Sequence, residues 1–214
     1  LIIPSGHEVI RSNDSPYHFR ANSNFTYLTG NTEPGRVLVM APKGNNRHSA
    51  ILFVDDNTGK KDPSFFTDRI KGELWVGAGL NTQQSKSKFL LDEAKPIEKL
   101  AELLKNITKN RKPFRVIRDL DPQIDKALKK QKKRDDEFVT TLSEMRLIKD
   151  DYEINSIKKA ITHTQDALED IIVSFQMLKS NKQKLTERVV EGIFNLKART
   201  VGNDVGFNTI AASG

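Results

Sequence analysis

The chain has 214 residues, 36 % of them hydrophobic, with a formal charge of +7 and no cysteine. This length suits one large domain, or one domain with part of a second, and the apolar content is sufficient for a buried core. The lack of cysteine excludes disulfides, thiolate metal sites and cysteine nucleophiles. No apolar run approaches the roughly 18 residues of a membrane span, so we expect a soluble, cytoplasmic protein with no membrane partner.

The positive charge is concentrated in residues 126–134, KALKKQKKR. Basic surfaces can bind nucleic acids, but neither an RNP-like pattern nor a zinc-finger pattern accompanies this run. We therefore interpret it as a solvated helix face and expect no nucleic-acid partner.

Short apolar runs at residues 1–3, 36–41, 49–54 and 114–117 predict strands. The runs 36–41 and 49–54 are continuous rather than alternating, which is typical of central strands covered on both faces, and the sequence GNNR between them indicates a turn. Residues 97–107 place apolar side chains on one helical stripe. Asp121 and Pro122 have the types expected at the start of a helix, which we expect to continue towards Arg134. Alternating strands and helices indicate an α/β fold with a mixed or parallel sheet flanked by helices.

The pattern changes to helices only near Phe138, so we expect domains at residues 1–137 and 138–214. Asp150 and Glu153 have the spacing of a capping box. A long amphipathic helix should follow, with the apolar stripe Ile154, Ile157, Ile161, Leu168, Ile171, Ile172, Phe175 and Leu178. A second helix should start at Thr186 and stop at Gly202, and residues 207–212 are a strand candidate.

The residues do not form a complete active site. His7, His18, His48 and His163 are scattered and lack the spacing of a helical metal site. The acidic pairs at 55–56, 135–136 and 150–151 are better explained by capping and solubility than by two-metal catalysis. We therefore predict no metal ligands within these 214 residues.

Residues 11–34, RSNDSPYHFRANSNFTYLTGNTEP, combine charged and aromatic side chains in a short space. Such a segment should fold against itself and present charge at an edge, and an ordered surface loop is the alternative. Its pattern R-S-x-D-x-x-Y-x-F-R-x-x-S-x-F-x-Y-L-T-G-x-x-E-P resembles the N-terminal domain of aminopeptidase P, the Xaa-Pro aminopeptidases. Residues 143–150 (SEMRLIKD), 153–160 (EINSIKKA) and 207–214 (FNTIAASG) are similar to later parts of that family.

The resemblance implies a creatinase-like N-terminal domain followed by the start of a "pita-bread" catalytic domain. Its two divalent metal ions, commonly manganese, would be bound by two Asp, one His and two Glu beyond Gly214. The parent enzyme would remove the residue before proline at the N-terminus of a peptide and would be a homodimer or homotetramer. The 214-residue piece alone should be inactive. The alternatives are a prolidase and a non-catalytic binding module such as a histone-chaperone subunit of the same fold.

By resemblance, Asp14 corresponds to an aspartate that reaches a neighbouring subunit's active site, and Arg146 to an arginine of the interdomain network. Trp75 matches a tryptophan that lines the site from another subunit, and Phe207 stands where some members have tyrosine beside the metals. From the residues alone, Asp14 is equally a turn residue, Arg146 a helix C-terminal charge and Trp75 a core anchor. The remaining motif residues, which we expect to be structural or interfacial, are Arg11, Tyr17, Arg20 and Tyr27.

Overall fold

The computed structural model describes residues 1–56, 59–70, 72–182, 184 and 186–213. They form two compact units, Leu1–Leu147 and Ile148–Gly214. The strands of the first unit are β1 (Ile2–Pro4), β2 (Ile10–Ser12), β3 (Ser15–Pro16), β4 (Val37–Gly44), β5 (Arg47–Val54) and β6 (Glu93–Pro96). Its α-helices are α1 (Ser23–Thr29), α2 (Ser64–Thr67), α3 (Glu73–Val76), α4 (Thr82–Lys88), α5 (Leu100–Lys109), α6 (Pro122–Ala127) and α7 (Lys132–Met145). Single 3-10 turns lie at Gly59–Lys61 and Ile97–Lys99.

Four of the strands form a mixed sheet in the order β1–β4–β5–β6. The first two pairs are antiparallel, whereas β5 and β6 are parallel. A parallel pair cannot be joined by a tight turn, and the segment containing α2, α3 and α4 provides the crossover. The predicted strands at residues 1–3, 36–41 and 49–54 correspond to β1, β4 and β5. The expected mixed α/β fold is therefore confirmed.

The turn between β4 and β5 is formed by the two asparagines predicted to lie there. Gly44 pairs with Arg47, and Asn45 and Asn46 have φ angles of 49° and 57°. Two successive left-handed residues match the twist of antiparallel strands, and asparagine tolerates this conformation better than most residues. The local sequence thus fixes the register of the central hairpin.

Successive residues of the central strands face opposite sides of the sheet, and both sides are buried. Val37, Val39 and Phe53 pack with Leu100 and Leu104 of α5 on one side. On the other side, neighbouring strand residues pack with α1 and α7; this cluster includes Leu38, Leu52, Val54, Phe25, Phe138 and Leu142. Burial on two faces explains why these strands are continuous apolar runs.

The expected helix from Asp121 to Arg134 is wrong, because the structure has two helices there. Asp121 and Pro122 do start α6 as predicted, but α6 ends at Ala127 and Leu128 is buried in an extended conformation. Arg118 Nη1 donates to the Leu128 carbonyl at 2.8 Å. Burial of Leu128 and this hydrogen bond remove the chain from the helical path, and α7 starts again at Lys132.

Residues 114–117 form an isolated bridge rather than the predicted strand. Val116 pairs in parallel with Ile2 alone, and its own N–H donates to the Asp135 carboxylate at 3.0 Å. The bridge to Ile2 uses the Arg115 carbonyl and the Ile117 N–H, so the Val116 N–H points away from β1 and Asp135 satisfies it there. Asp135 belongs to α7, which also runs through the expected boundary at 137/138. Since Phe138 is buried in the first unit's core, the compact units divide after Leu147.

The second unit contains the two predicted helices, α8 (Asp151–Ser180) and α9 (Glu187–Val201). The predicted capping box is confirmed: Asp150 Oδ1 accepts from Glu153 N at 2.8 Å, and Glu153 Oε2 accepts from Asp150 N at 3.0 Å. Within the apolar stripe of α8, Ile171 is buried, but six residues are exposed, namely Ile154, Ile157, Ile161, Leu168, Ile172 and Phe175. Lys197 of α9 bonds Asp170 of α8 at 2.8 Å.

The strand candidate at residues 207–212 is not a strand in the described part of the unit. A strand requires a neighbouring backbone to complete its hydrogen bonds, and the nearby Ser213 N–H instead donates to the Glu187 side chain at 3.0 Å. Gly214, the last residue of the FNTIAASG motif, lies outside the described residues. Among the helices that are described, none has the length and apolar character needed to cross a bilayer.

Candidate functional site

The segment 11–34 folds into a hairpin followed by a short helix. Strands β2 and β3 pair antiparallel, and the Tyr17 N–H extends the pairing by donating to the Val9 carbonyl at 2.8 Å. The turn contains Asn13, with a φ of 50°, and Asp14, whose side chain is half exposed. Arg11, Tyr17 and Arg20 are exposed. The segment therefore presents charge at an edge, as expected for a stretch that folds against itself.

The helix α1 anchors this segment to the first unit. Asn22 caps it, because its side-chain oxygen accepts from Asn24 N at 3.0 Å, and Gly30 ends it in the left-handed region with a φ of 68°. Phe25 is completely buried, and the Tyr27 hydroxyl donates to the Met145 carbonyl at 3.3 Å. Phe25 and Tyr27, two aromatic residues of the motif, therefore have structural roles.

Trp75 lies on α3, and Gly72, the residue before α3, allows this helix to lie close to α2. A Cβ added at Gly72 would lie 2.3 Å from the Asp68 carbonyl oxygen and 2.5 Å from that of Ser64. Only glycine permits this approach without displacement. The Trp75 ring is about half exposed, and its Nε1 donates to the Phe66 carbonyl at 3.2 Å. The interpretation of Trp75 as a core anchor is therefore wrong.

The structure brings two of the predicted site residues to one cation. Arg69 places Nη1 4.0 Å from Asp14 Oδ2, and its guanidinium carbon lies 5.5 Å from the centre of the Trp75 ring. Asp14, Arg69 and Trp75 form an exposed cluster, called the Arg69 cluster below. Arg69 is not predictable from the sequence as a site residue, because no motif or helical spacing connects it to Asp14.

The other two predicted residues lie elsewhere. Arg146 follows the last residue of α7, and its N–H bonds the Ser143 carbonyl at 3.1 Å. This is a helix C-terminal position, where a positive charge is favourable. Phe207 belongs to the second unit and is 78 % exposed. A functional role for either residue stays a prediction.

An open groove of about 1120 Å³ lies beside the hairpin, between residues 5–9, 17–23 and 119–125. His7, which lines the groove and is half exposed, pairs through Nε2 with Asp121 Oδ2 at 2.9 Å. The second Asp121 oxygen caps α6 by accepting from Ile124 N at 3.0 Å. The partner of His7 is therefore the carboxylate that caps α6. Within the described ranges, no group of three or more His, Asp or Glu side chains could hold a metal ion.

A more open depression of about 780 Å³ runs along α7. Its lining includes Lys132 and Lys133 from the basic segment, together with Asp136 and Glu137. Acidic side chains therefore lie among the lysines, and none of the predicted site residues lines this surface.

Comparison with known proteins identifies the family. The sequence model for the N-terminal domain of aminopeptidase P matches residues 1–117. Xaa-Pro aminopeptidase 1 of Streptomyces coelicolor is 36 % identical over 216 aligned residues, covering 100 % of this chain and 42 % of that protein. Xaa-Pro aminopeptidase 2 of the same organism is 30 % identical and is covered to 44 %. The chain thus spans less than half the length of these relatives.

A solved structure, zinc-substituted aminopeptidase P of E. coli in complex with product, shares the fold. Its TM-score is 0.69 at 24 % identity, covering 92 % of this chain and 44 % of that chain. At 24 % identity, this likeness shows only that the two proteins share a fold. The domain model, by contrast, matches more than half of the sequence. The chain therefore belongs to the aminopeptidase P family and carries that family's N-terminal domain.

Proposed function

We propose that this chain is the N-terminal part of a Xaa-Pro aminopeptidase, which hydrolyses the bond between a peptide's first residue and a following proline. The observation that carries the proposal is the 36 % identity to Xaa-Pro aminopeptidase 1 along the whole chain. The family fold of the first unit supports it. The substrates would be peptides with proline at the second position.

The proposed enzyme uses two divalent metal ions, and we propose manganese. The zinc-substituted form of the E. coli enzyme supports divalent metal use in this family. The described residues of this chain do not fit a metal pair, since no suitable group of side chains converges. We therefore assign the metals to residues beyond Gly214 and derive no step of the metal chemistry from this chain. We likewise propose that residues 148–214 begin a catalytic domain of the pita-bread type.

The contribution of this chain is to present an edge to the peptide. Asp14 and Trp75 are exposed and share a contact with Arg69, so a carboxylate and an aromatic face are available together. A carboxylate can pair with a peptide's free amino group, and an indole face can contact a proline ring. We propose that this edge completes the active site of a neighbouring subunit in a homodimer or homotetramer.

The test is a peptidase assay on the full-length protein with manganese. It should release the first residue from a tripeptide of the type Xaa-Pro-Yaa and leave the matched Xaa-Ala-Yaa tripeptide intact. The 214-residue chain alone should release nothing. Cleavage of Xaa-Pro dipeptides without cleavage of tripeptides would instead indicate a prolidase. Inactivity towards both, with metal bound, would refute the peptidase proposal and favour a binding module.

A further inference from the structure

Arg69 connects two segments that are far apart in the sequence. Its guanidinium lies 4.0 Å from Asp14 of the β2–β3 turn and 5.5 Å from the ring of Trp75 on α3. An arginine can make both contacts at once, because its planar group offers N–H donors at the edge and a flat face to an aromatic ring. Lysine offers a point charge and can reproduce only part of this arrangement.

The Trp75 ring is also fixed on another side. Its Nε1 donates to the Phe66 carbonyl, which belongs to α2, at 3.2 Å. Gly72 allows α3 to approach α2 closely enough for this hydrogen bond, and Trp75 N donates to the Gly72 carbonyl at 2.9 Å. The α2–α3 pair thus holds the ring, and Arg69 connects that ring to the hairpin.

Stability of the fold does not account for this contact. The side chains of Arg69 and Asp14 are 67 % and 51 % exposed, and ion pairs so accessible to solvent contribute little to folding. Trp75 is likewise exposed rather than in the core. What the contact does provide is a defined separation between a carboxylate and an aromatic face.

We propose that Arg69 is a positioning residue for peptide binding. It holds the Asp14 carboxylate and the Trp75 ring in one arrangement, so that a single peptide meets both. This inference rests on the proposed function, because it assumes that the Arg69 cluster faces the peptide. Arg69 acts through its two neighbours and takes no part in bond cleavage.

The kinetic test compares Arg69→Gln, Arg69→Lys and the control Arg47→Gln in the full-length protein. Arg47 is an exposed arginine at the β4–β5 hairpin. Loss of positioning should raise KM of Arg69→Gln for a Xaa-Pro-Yaa peptide about fivefold while kcat changes by less than about twofold. Arg69→Lys should recover part of the loss, and Arg47→Gln should match the wild type. A KM for Arg69→Gln equal to that of the control, or an effect on kcat alone, would overturn the inference.

A second measurement separates this inference from the proposed function. Trp75 is the only tryptophan of the chain, so the fluorescence of the 214-residue chain reports on the cluster without any activity. Quenching of Trp75 fluorescence by acrylamide should increase in Arg69→Gln, because the guanidinium no longer covers the ring. It should stay unchanged in Arg47→Gln. Equal quenching in Arg69→Gln and Arg47→Gln would show that Arg69 does not hold the Trp75 ring, and would overturn the inference even if the enzyme is active. If the full-length wild type cleaves no Xaa-Pro peptide, the proposed function fails and the role of Arg69 in peptide binding fails with it, whatever the fluorescence shows.

Discussion

Replacing Asp135 by asparagine tests how the first unit is held together. Asp135 is 2 % exposed and accepts three hydrogen bonds, from Val116 N at 3.0 Å, Arg118 Nε at 2.8 Å and Gln131 N at 3.2 Å. This carboxylate therefore joins the sheet edge, the buried arginine and the start of α7. The Asp135→Asn side chain keeps the shape, removes the charge and turns one acceptor into a donor.

The expected loss follows from what Arg118 retains. Removing one partner of a buried ion pair costs about 3–5 kcal/mol. Arg118 keeps Asp125 at 3.3 Å and the Leu128 carbonyl at 2.8 Å, so we expect the lower end, about 3 kcal/mol. That is a large share of the roughly 5–15 kcal/mol by which domains are stable. If the free energy of unfolding falls by about 2 kcal/mol per molar urea, the urea concentration at the unfolding midpoint should fall by about 1.5 M.

The assay is equilibrium unfolding in urea, monitored by far-ultraviolet circular dichroism. The control is Asp136→Asn, which removes a carboxylate from the adjacent, exposed position of α7 and should shift the midpoint only slightly. If Asp135→Asn unfolds at the same midpoint as the control, the ion pair does not stabilise the unit and the reasoning is refuted.

Three further changes address other parts of the first unit. Phe25→Ala removes a fully buried ring and should lower the free energy of unfolding by about 3–5 kcal/mol in the same urea assay; a loss under about 1 kcal/mol would contradict the packing of α1. Gly72→Ala places a Cβ 2.3 Å from the Asp68 carbonyl, so α3 must move, and unchanged Trp75 emission would contradict this expectation. The Ala50 N–H and Lys43 lower the pKa of Asp92 below its usual 3.8. Its stabilisation is thus present above pH 3.8 and lost as the pH falls through the lowered pKa. Asp92→Asn should therefore destabilise the protein at pH 7, and its effect should shrink as the pH falls below 3.8.

The parts of the fold that the sequence predicted are those with local causes. The capping box at Asp150 and the start of α6 at Asp121 each depend on residues a few positions apart. The break between α6 and α7 was missed, because it depends on Arg118 reaching the Leu128 carbonyl from outside the helix. The residues around this break are mostly lysines, so the sequence there lacks an apolar periodicity that could have indicated where one helix ends and the next begins.

The candidate site was predictable only through the family motif. Nothing in the local spacing of Asp14 or Trp75 indicates that both approach the same side chain. Arg69 was missed for the same reason, since a surface cation without a periodic partner has no signal in a single sequence. The cluster forms only when tertiary folding brings Asp14 of the hairpin near Arg69.

The motif 11–34 also has a structural consequence at a distance. Phe25 is buried in the cluster that contains Phe138 and Leu142 of α7, so α1 packs against that helix. Tyr27 then donates to the carbonyl of Met145 at 3.3 Å, in the last turn of α7, where carbonyl groups lack helical partners. Arg146 is the next residue. The same two aromatic side chains that mark the family in sequence therefore hold the helix end from which Arg146 extends, which links the N-terminal motif physically to the segment SEMRLIKD.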